Sequence, residues 1–401
     1  MGGIPRIGVK SYDDVVIVSC VRTPLCKANK GHFKDTKHEH LLATVLKAVI
    51  QRAGLDPWMV QDIVVGNVCP PMGGATMARM GMLAAGFPES VPVMTTNRQC
   101  SSGLSATMQI ASAIRDGTID IGIGAGVESM TSFYANRGMT VDQYDQEMLK
   151  VPNVADCLLP MGLTSENVAS DFSVSRQSQD MFAAESHRRA AYAQEHGHFD
   201  AEIVPVTTKI KDANGNESEI TVTKDDGIRA STTFEILSRL KPVFKEGGTT
   251  TAGNSSQLTD GAAATLMMKR SKAIELGLPI LARIITYAAV GVPPRIMGVG
   301  PAVAIPAAAK KAGISVSDIE VFELNEAFAS QAVYCIEKLG IDKERVNPKG
   351  GAIAIGHPLG CTGARQIPSL IYELIRTGKR VGATSMCMGS GMGMCAIFER
   401  E

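Results

Sequence analysis

The nine cysteines of this chain include no Cys-x-x-Cys pair, and an odd count does not close into a full disulfide framework. Both absences argue against a paired-cysteine zinc site and for a reducing compartment. Net charge is missing too: forty basic and forty acidic residues cancel. No nucleic-acid partner and no membrane-surface attraction is therefore implied. Nowhere is there an apolar run of the roughly eighteen residues that a membrane span needs. The Met1–Arg6 start lacks the apolar core of a signal peptide, and the Phe398–Glu401 ending lacks a Ser-Lys-Leu peroxisomal address. His38-x-His40 and His196-x-His198 have no cysteine pair beside them, so they read as exposed histidines and no metal is expected.

What is present is length and glycine. A chain of 401 residues suggests two or three packed units with a large core. Its forty glycines gather around stretches that contain cysteine and histidine, where glycine lets backbone approach a ligand. Asp14–Val21 reads as a buried strand, Leu41–Arg52 as a helix stopping at Ala53-Gly54, and Asp62–Val68 as a second strand. Gly73–Gly86 reads as a buried methionine-rich helix. Val91–Thr96 reads as a strand, followed by a helix with Leu104, Met108, Ala111 and Ile114 on one face. Strands alternating with helices imply an α/β layered fold. The order returns loosely from Ala282: a strand to Val290, a helix Val303–Ala312 stopping at Gly313, a strand near Val321, and closing strands Gly382–Cys387 and Met394–Phe398. Between the halves the composition turns polar. Lys211–Glu217 reads as an exposed turn, and Ser175–His198 as a helix whose His187, Arg188 and Arg189 form a solvated face.

Four stretches carry the chemistry. Asn97-Arg98-Gln99-Cys100-Ser101-Ser102-Gly103 puts a thiol where a strand becomes a helix, beside free N–H groups and the positive dipole end, which favours a thiolate. Asn325-Glu326-Ala327-Phe328 reads as the start of a helix running toward Leu339. Gly350–Pro358 is a glycine-bounded loop bearing His357 before another helix. Cys387-Met388-Gly389-Ser390-Gly391-Met392-Gly393 reads as the turn between the last strands. Each has a plainer reading: a packed cysteine, a helix-capping asparagine, a satisfied core histidine, hairpin glycines. Together they supply two thiols, an imidazole and an amide, the groups of nucleophilic carbon chemistry.

In this order the four stretches resemble the thiolase family over nearly the whole chain, nearest to its peroxisomal-type 3-ketoacyl-CoA branch. The resemblance implies a fold of two duplicated βαβαβαββ halves in αβαβα layers. The halves would cover 1–128 (completed by about 259–280) and 281–401, with an inserted loop domain at 129–258. It implies that Cys100 is the nucleophile, His357 its base and Cys387 the acid/base, with Asn325 and the backbone N–H of Cys100 and Gly389 stabilising oxyanions. Coenzyme A is implied as a co-substrate and not as a permanently bound cofactor. Its segments would be Asp226–Arg229, with Arg229 on the adenine, and Ala252-Gly253-Asn254-Ser255-Ser256, with Ser256 on the pantetheine amides. Met161 and Phe328 would border the acyl chain. A homodimer or tetramer and a peroxisomal location are also implied, although the Arg-Leu…His-Leu leader of many relatives is missing, which leaves cytoplasm or mitochondrion open. A short-chain acetoacetyl-CoA thiolase shares all four motifs and is the competing activity; a catalytically silent fold relative is the remote one. Cys361, Met388 and Ser390 depart from the usual pattern, and Cys361 is expected to add a thiol near the site.

Overall fold

The computed structural model describes residues 5–136 and 138–401; the Met1–Ile4 start read above lies outside them. Strands β1 (Val15–Arg22), β2 (Cys26–Lys27), β3 (Asp62–Gly66), β4 (Val93–Thr96), β5 (Ile121–Ser129) and β8 (Thr259–Lys269) belong to the first half. A hairpin, β6 (Val206–Lys211) with β7 (Glu217–Val222), lies between the halves. The second half contributes β9 (Ala282–Gly291), β10 (Val321–Leu324), β11 (Val381–Met388) and β12 (Met392–Arg400). The main sheet runs β10-β11-β12-β9-β1-β8-β5-β3-β4. Its two wings run outward in the same order, β1-β8-β5-β3 and β9-β12-β11-β10, and meet where Val16 and Ile17 pair with Arg283 and Ala282. The parallel partner that β4 gives β3 is reduced in the second wing to a single bridge, Phe322 with Val346.

Strand periodicity explains the layers. In β1 the side chains of Val16, Val18 and Val21 enter one apolar core and those of Val15, Ile17 and Cys20 another. A register shift between Ile17 and Ser19 breaks the strict alternation. Ile63 and Val65 likewise face away from Val64, and Cys395 and Ile397 away from Met394, Ala396 and Phe398. Each wing is thus apolar on both faces and must be covered on both. The helix His38–Ala53 covers one outer face; the helices Gly300–Ala312 and Ala329–Leu339 cover the other. Between the wings lie Ser102–Asp116 and Leu359–Thr377, whose apolar residues share one core. The second of these is buried nearly all round, as a helix between two sheets must be.

The two central helices touch backbone to backbone at their starts. A methyl group on Gly103 would lie 2.7 Å from the Ala364 nitrogen and the Gly360 oxygen, and one on Gly363 would lie 2.4 Å from the Leu104 nitrogen. Only glycine permits that approach.

Several expectations need correction. The Gly73–Gly86 helix is Ala75–Ala84 and buries only Ala78, Gly81 and Met82; Met80 and Leu83 point outward. The apolar residues there are spread around the helix and the core takes one side. Lys211–Glu217 is the exposed turn that was expected, closing the β6–β7 hairpin. In the helix Arg176–Glu195, capped by Ser175, Arg188 is solvated as expected but His187 is buried. His38 is buried too, its Nε2 3.2 Å from Asn67 Oδ1, and burial lowers its pKa to about 4.

Candidate active site

The nucleophile loop is held by its own short side chains. Asn97 Oδ1 accepts from the Gln99 nitrogen at 2.9 Å. Ser102 Oγ accepts from the Arg98 nitrogen at 2.9 Å and donates to the Gln99 carbonyl at 2.6 Å. These bonds hold Gln99 in the left-handed region at φ 49°, a conformation that costs a non-glycine residue about 1 kcal/mol or more. Strain next to a reactive residue is a common mark of function. Cys100 follows, two positions before the helix Ser102–Asp116.

His357 stands at the other helix start. Its backbone N–H donates to the Gln257 carbonyl at 3.0 Å and contacts Thr259 Oγ1 at 3.2 Å. Thr362 donates its hydroxyl to the Pro358 carbonyl at 2.9 Å, so it offers a lone pair to His357 Nδ1 at 2.6 Å. Nδ1 therefore carries the hydrogen and Nε2 presents the basic lone pair. Asn325 Nδ2 lies 3.3 Å from that Nε2. Asn325 caps no helix: the next one begins at Ala329, and Asn325 follows directly on β10 with its N–H donating to the Ser385 carbonyl at 2.8 Å. Its buried Oδ1 has no hydrogen-bond partner among the described residues.

Cys387 is on β11 and not in the turn after it; Ser390 and Gly391, with positive φ, turn the chain. Two contacts bring this strand end to the nucleophile loop. The Gly389 backbone N–H donates to the Cys100 sulfur, and the Ser101 hydroxyl donates to the Met388 sulfur. The charge of a Cys100 thiolate acts on Cys387. The two sulfurs are thus near enough to interact, and Met161 reaches in beside Gly389. Phe328 packs with Met297, Ala327 and Cys387, edge-on to Phe244 at 6.3 Å.

The electrostatics overturn one expectation. Burial raises the Cys100 pKa to about 11; the Gly389 N–H offsets part of this, and the Glu128 carboxylate adds to it. The loop places Cys100 ahead of the helix start, so desolvation outweighs the dipole. Burial also pushes Cys387 well up, with Cys100 next in effect. His357 is neutral for a different reason than its helix start: burial lowers its pKa to about 3, helped by the Arg365 guanidinium. The resting pair is thiol and imidazole. Cys361 lies with Leu25, Ala354, Ile355 and Ala364 in an apolar cluster, its thiol raised to about 12 by burial, so it packs and is not a second reactive thiol.

Ser256 donates its backbone N–H to the Ala327 carbonyl at 3.0 Å, and Ser255 bridges to Phe328. Ala252 is exposed, while Gly253 packs so closely that a methyl group would meet Leu237 and Leu240 at 2.5 Å. Arg229 is exposed; its backbone N–H donates to His187 Nδ1 at 3.2 Å. Burial lowers the Lys27 pKa and the Arg229 charge lowers it further, which puts two cations side by side. Lys27, Thr362, Glu128 and Arg365 escaped the sequence reading: none stands in a chemistry-bearing motif, and only the fold brings them here. So did the grouping of Cys26 and His32 with Asp226, whose ligand atoms lie within 4.8 Å of one another. Asp226 is occupied there by the backbone N–H of Lys27 and His32, at 2.7 and 2.9 Å, and by the His32 ring at 3.0 Å. This cluster serves as a loop clamp.

Two family models match the chain: the thiolase N-terminal domain over residues 15–271 and the thiolase C-terminal domain over 278–400. The human peroxisomal 3-ketoacyl-CoA thiolase is 56% identical over 400 residues, covering 100% of this chain and 93% of that protein. The Arabidopsis thaliana peroxisomal 3-ketoacyl-CoA thiolase 1 is 57% identical over 97% of this chain and 88% of that protein. Among solved structures, the dimeric peroxisomal thiolase of Saccharomyces cerevisiae superposes with a TM-score of 0.90 at 46% identity, covering 98% of this chain and 99% of that one. A Bacillus anthracis acetyl-CoA acetyltransferase superposes at 0.89 with 38% identity, covering 97% and 99%. The layered architecture, the convergence of the four motifs and these matches give one conclusion: the chain belongs to the thiolase family.

Proposed function

We propose that this enzyme cleaves 3-ketoacyl-CoA with coenzyme A to give acetyl-CoA and a shortened acyl-CoA, as a step of fatty-acid β-oxidation. The observation that carries the reading is the closeness of Cys100 to Cys387, with a neutral His357 held beside Asn325 at the meeting of the same four motifs. Cys100 gives its proton to His357 Nε2 and its sulfur attacks the 3-keto carbon. The C2–C3 bond breaks, and the departing acetyl-CoA enolate takes the proton of Cys387. The acyl group stays on Cys100 as a thioester. An incoming CoA thiol gives its proton to the Cys387 thiolate and attacks that thioester; the released Cys100 thiolate recovers its proton from His357. Run backwards, the same transfers make a Claisen condensation.

The high thiol pKa suits this cycle, because a thiolate is needed only once substrate is seated, when oxyanion donors compensate its formation. Protonated His357 and a water held by Asn325 serve the thioester oxygen, and the N–H groups of Cys100 and Gly389 serve the other oxyanion. Arg229 stacks on the adenine, and the neighbouring Lys27 meets the phosphate-rich end of CoA. Ala252, Gly253 and Ser256 line the pantetheine, and Met161 and Phe328 the acyl chain. CoA is the co-substrate; no resident cofactor is part of the scheme. The halves divide as 1–128 and 281–401 with the 129–258 insertion between them. A homodimer and a peroxisomal location are supported by the named relatives.

The similarity to an acetyl-CoA acetyltransferase supports a second reading, in which acetoacetyl-CoA is the preferred substrate. A series of ketoacyl-CoA substrates of increasing chain length separates the two. Highest kcat/KM on medium or long chains supports the first reading, and activity confined to acetoacetyl-CoA replaces it with the second. Inactivity on all, with no acyl mass on Cys100, removes both.

A further inference from the structure

One buried carboxylate has no part in the cycle above. Glu128 is fully buried at the end of β5, and no Lys, Arg or His among the described residues forms an ion pair with it. Its partners are backbone donors from two places. Oε2 accepts from the Val68 nitrogen at 3.2 Å and Oε1 from the Cys69 nitrogen at 3.2 Å, both in the loop after β3. Oε2 also accepts from the Gly360 nitrogen at 2.9 Å, in the first turn of the helix that follows His357. Gly360 is wedged there: a methyl group on it would lie 2.8 Å from Asn67 Cα and from the Gly66 and Val127 oxygens. The His357 segment therefore belongs to the second half in sequence but is fastened to strand ends of the first, where Cys100 also sits. A carboxylate accepting N–H at a helix start is in a favourable field, yet an isolated buried charge is expensive, and burial raises the Glu128 pKa to about 7. Above that pH the carboxylate is ionised, and its charge adds to burial, the larger cause, in opposing ionisation of Cys100.

We propose that Glu128 is a positioning residue: it seats the His357 segment against the nucleophile loop through Gly360, and from that place its carboxylate, where ionised, adds to the burial that holds Cys100 as a thiol. The other titratable groups in its surroundings are the thiols of Cys69 and Cys361. Both are buried, and a thiol carries no positive charge that could cancel the carboxylate. The inference rests on the reading of Cys100 as nucleophile.

The test is Glu128→Gln in the full chain, with Glu128→Asp as a charge-preserving companion. Cys100 alkylation by iodoacetamide at pH 8 is followed by peptide mass spectrometry, which distinguishes it from the other cysteines. Removing the charge is expected to speed alkylation by about three- to tenfold, since one pKa unit is a tenfold change in thiolate. Thiolysis kcat is expected to fall at least about tenfold, a fraction of the roughly 10²–10⁴-fold that a positioned base contributes. Glu128→Asp should lose kcat without gaining alkylation rate. A purely structural carboxylate would slow both readouts or leave alkylation unchanged, and either result overturns the proposal. If Glu128→Gln does not fold, Glu128→Asp decides: an alkylation rate above wild type overturns the charge role, and unchanged kcat overturns the seating role. Failure to acylate wild-type Cys100 with acyl-CoA would instead remove the underlying reading.

Discussion

Thr362 fixes the tautomer of His357. Its single hydroxyl hydrogen goes to the Pro358 carbonyl, leaving only lone pairs for Nδ1 at 2.6 Å. Thr362→Val keeps the shape but removes the acceptor, and His357 is then free to place its hydrogen on Nε2, where the base is needed. We expect kcat to fall by about two orders of magnitude, within the range that general-base catalysis contributes, with a much smaller change in KM. Thr362→Ser should restore most of it. Equal rates for the valine and serine variants would show that the hydroxyl does not set the tautomer.

The pH behaviour of Cys100 follows from its raised pKa of about 11. A group held above its usual value reacts as thiolate in a fraction that climbs about tenfold per pH unit below that pKa. Iodoacetamide alkylation of the free enzyme should therefore keep rising from pH 7 through pH 9. His357, lowered to about 3, stays unprotonated throughout and adds no inflection. A plateau below pH 8 would mean that the helix dipole prevails after all.

Cys387→Ala should separate the half-reactions. Acyl transfer from a simple acyl-CoA to Cys100 needs no enolate proton, so the mass gain on Cys100 should survive while ketoacyl-CoA turnover falls by about 100-fold or more, as loss of a general acid predicts. A variant with full turnover would exclude the acid/base role.

Gly103→Ala tests the contact between the central helices. The added methyl group would meet two backbone atoms at 2.7 Å, neither of which can rotate away. Overpacking of this kind costs about 1–3 kcal/mol, read as a lower urea midpoint, and activity should fall further than stability because both catalytic loops begin here. Gly54→Ala, where the φ of 65° is strained but the space is open, should lose stability alone.

How much of this was readable beforehand differs between parts of the molecule. Strands such as Val15–Arg22 and helix stops such as Gly54 and Gly313 carry their signal locally, in apolar runs and left-handed caps, and were read within a few residues. The four motifs were legible because their residue types are unusual together. The environments were not. That burial outweighs the stabilisation of a Cys100 thiolate, with an N–H nearly three hundred residues downstream offsetting only part of it, is visible only in the packed chain. That His187 is buried on a charged helix depends on the Arg229 segment lying over it. Glu128 and Thr362 sit in stretches that look like ordinary strand and helix; only the packed halves reveal what they hold.

The two-residue seam between Val16–Ile17 and Arg283–Ala282 has a consequence for synthesis. The nucleophile lies on one side of it, and the base and proton donor on the other. A ribosome that has released only the first wing has made a sulfur with neither the imidazole nor the second thiol near it. The reactive couple therefore comes into being late, when the last strands dock, and a nascent or half-folded chain cannot turn over.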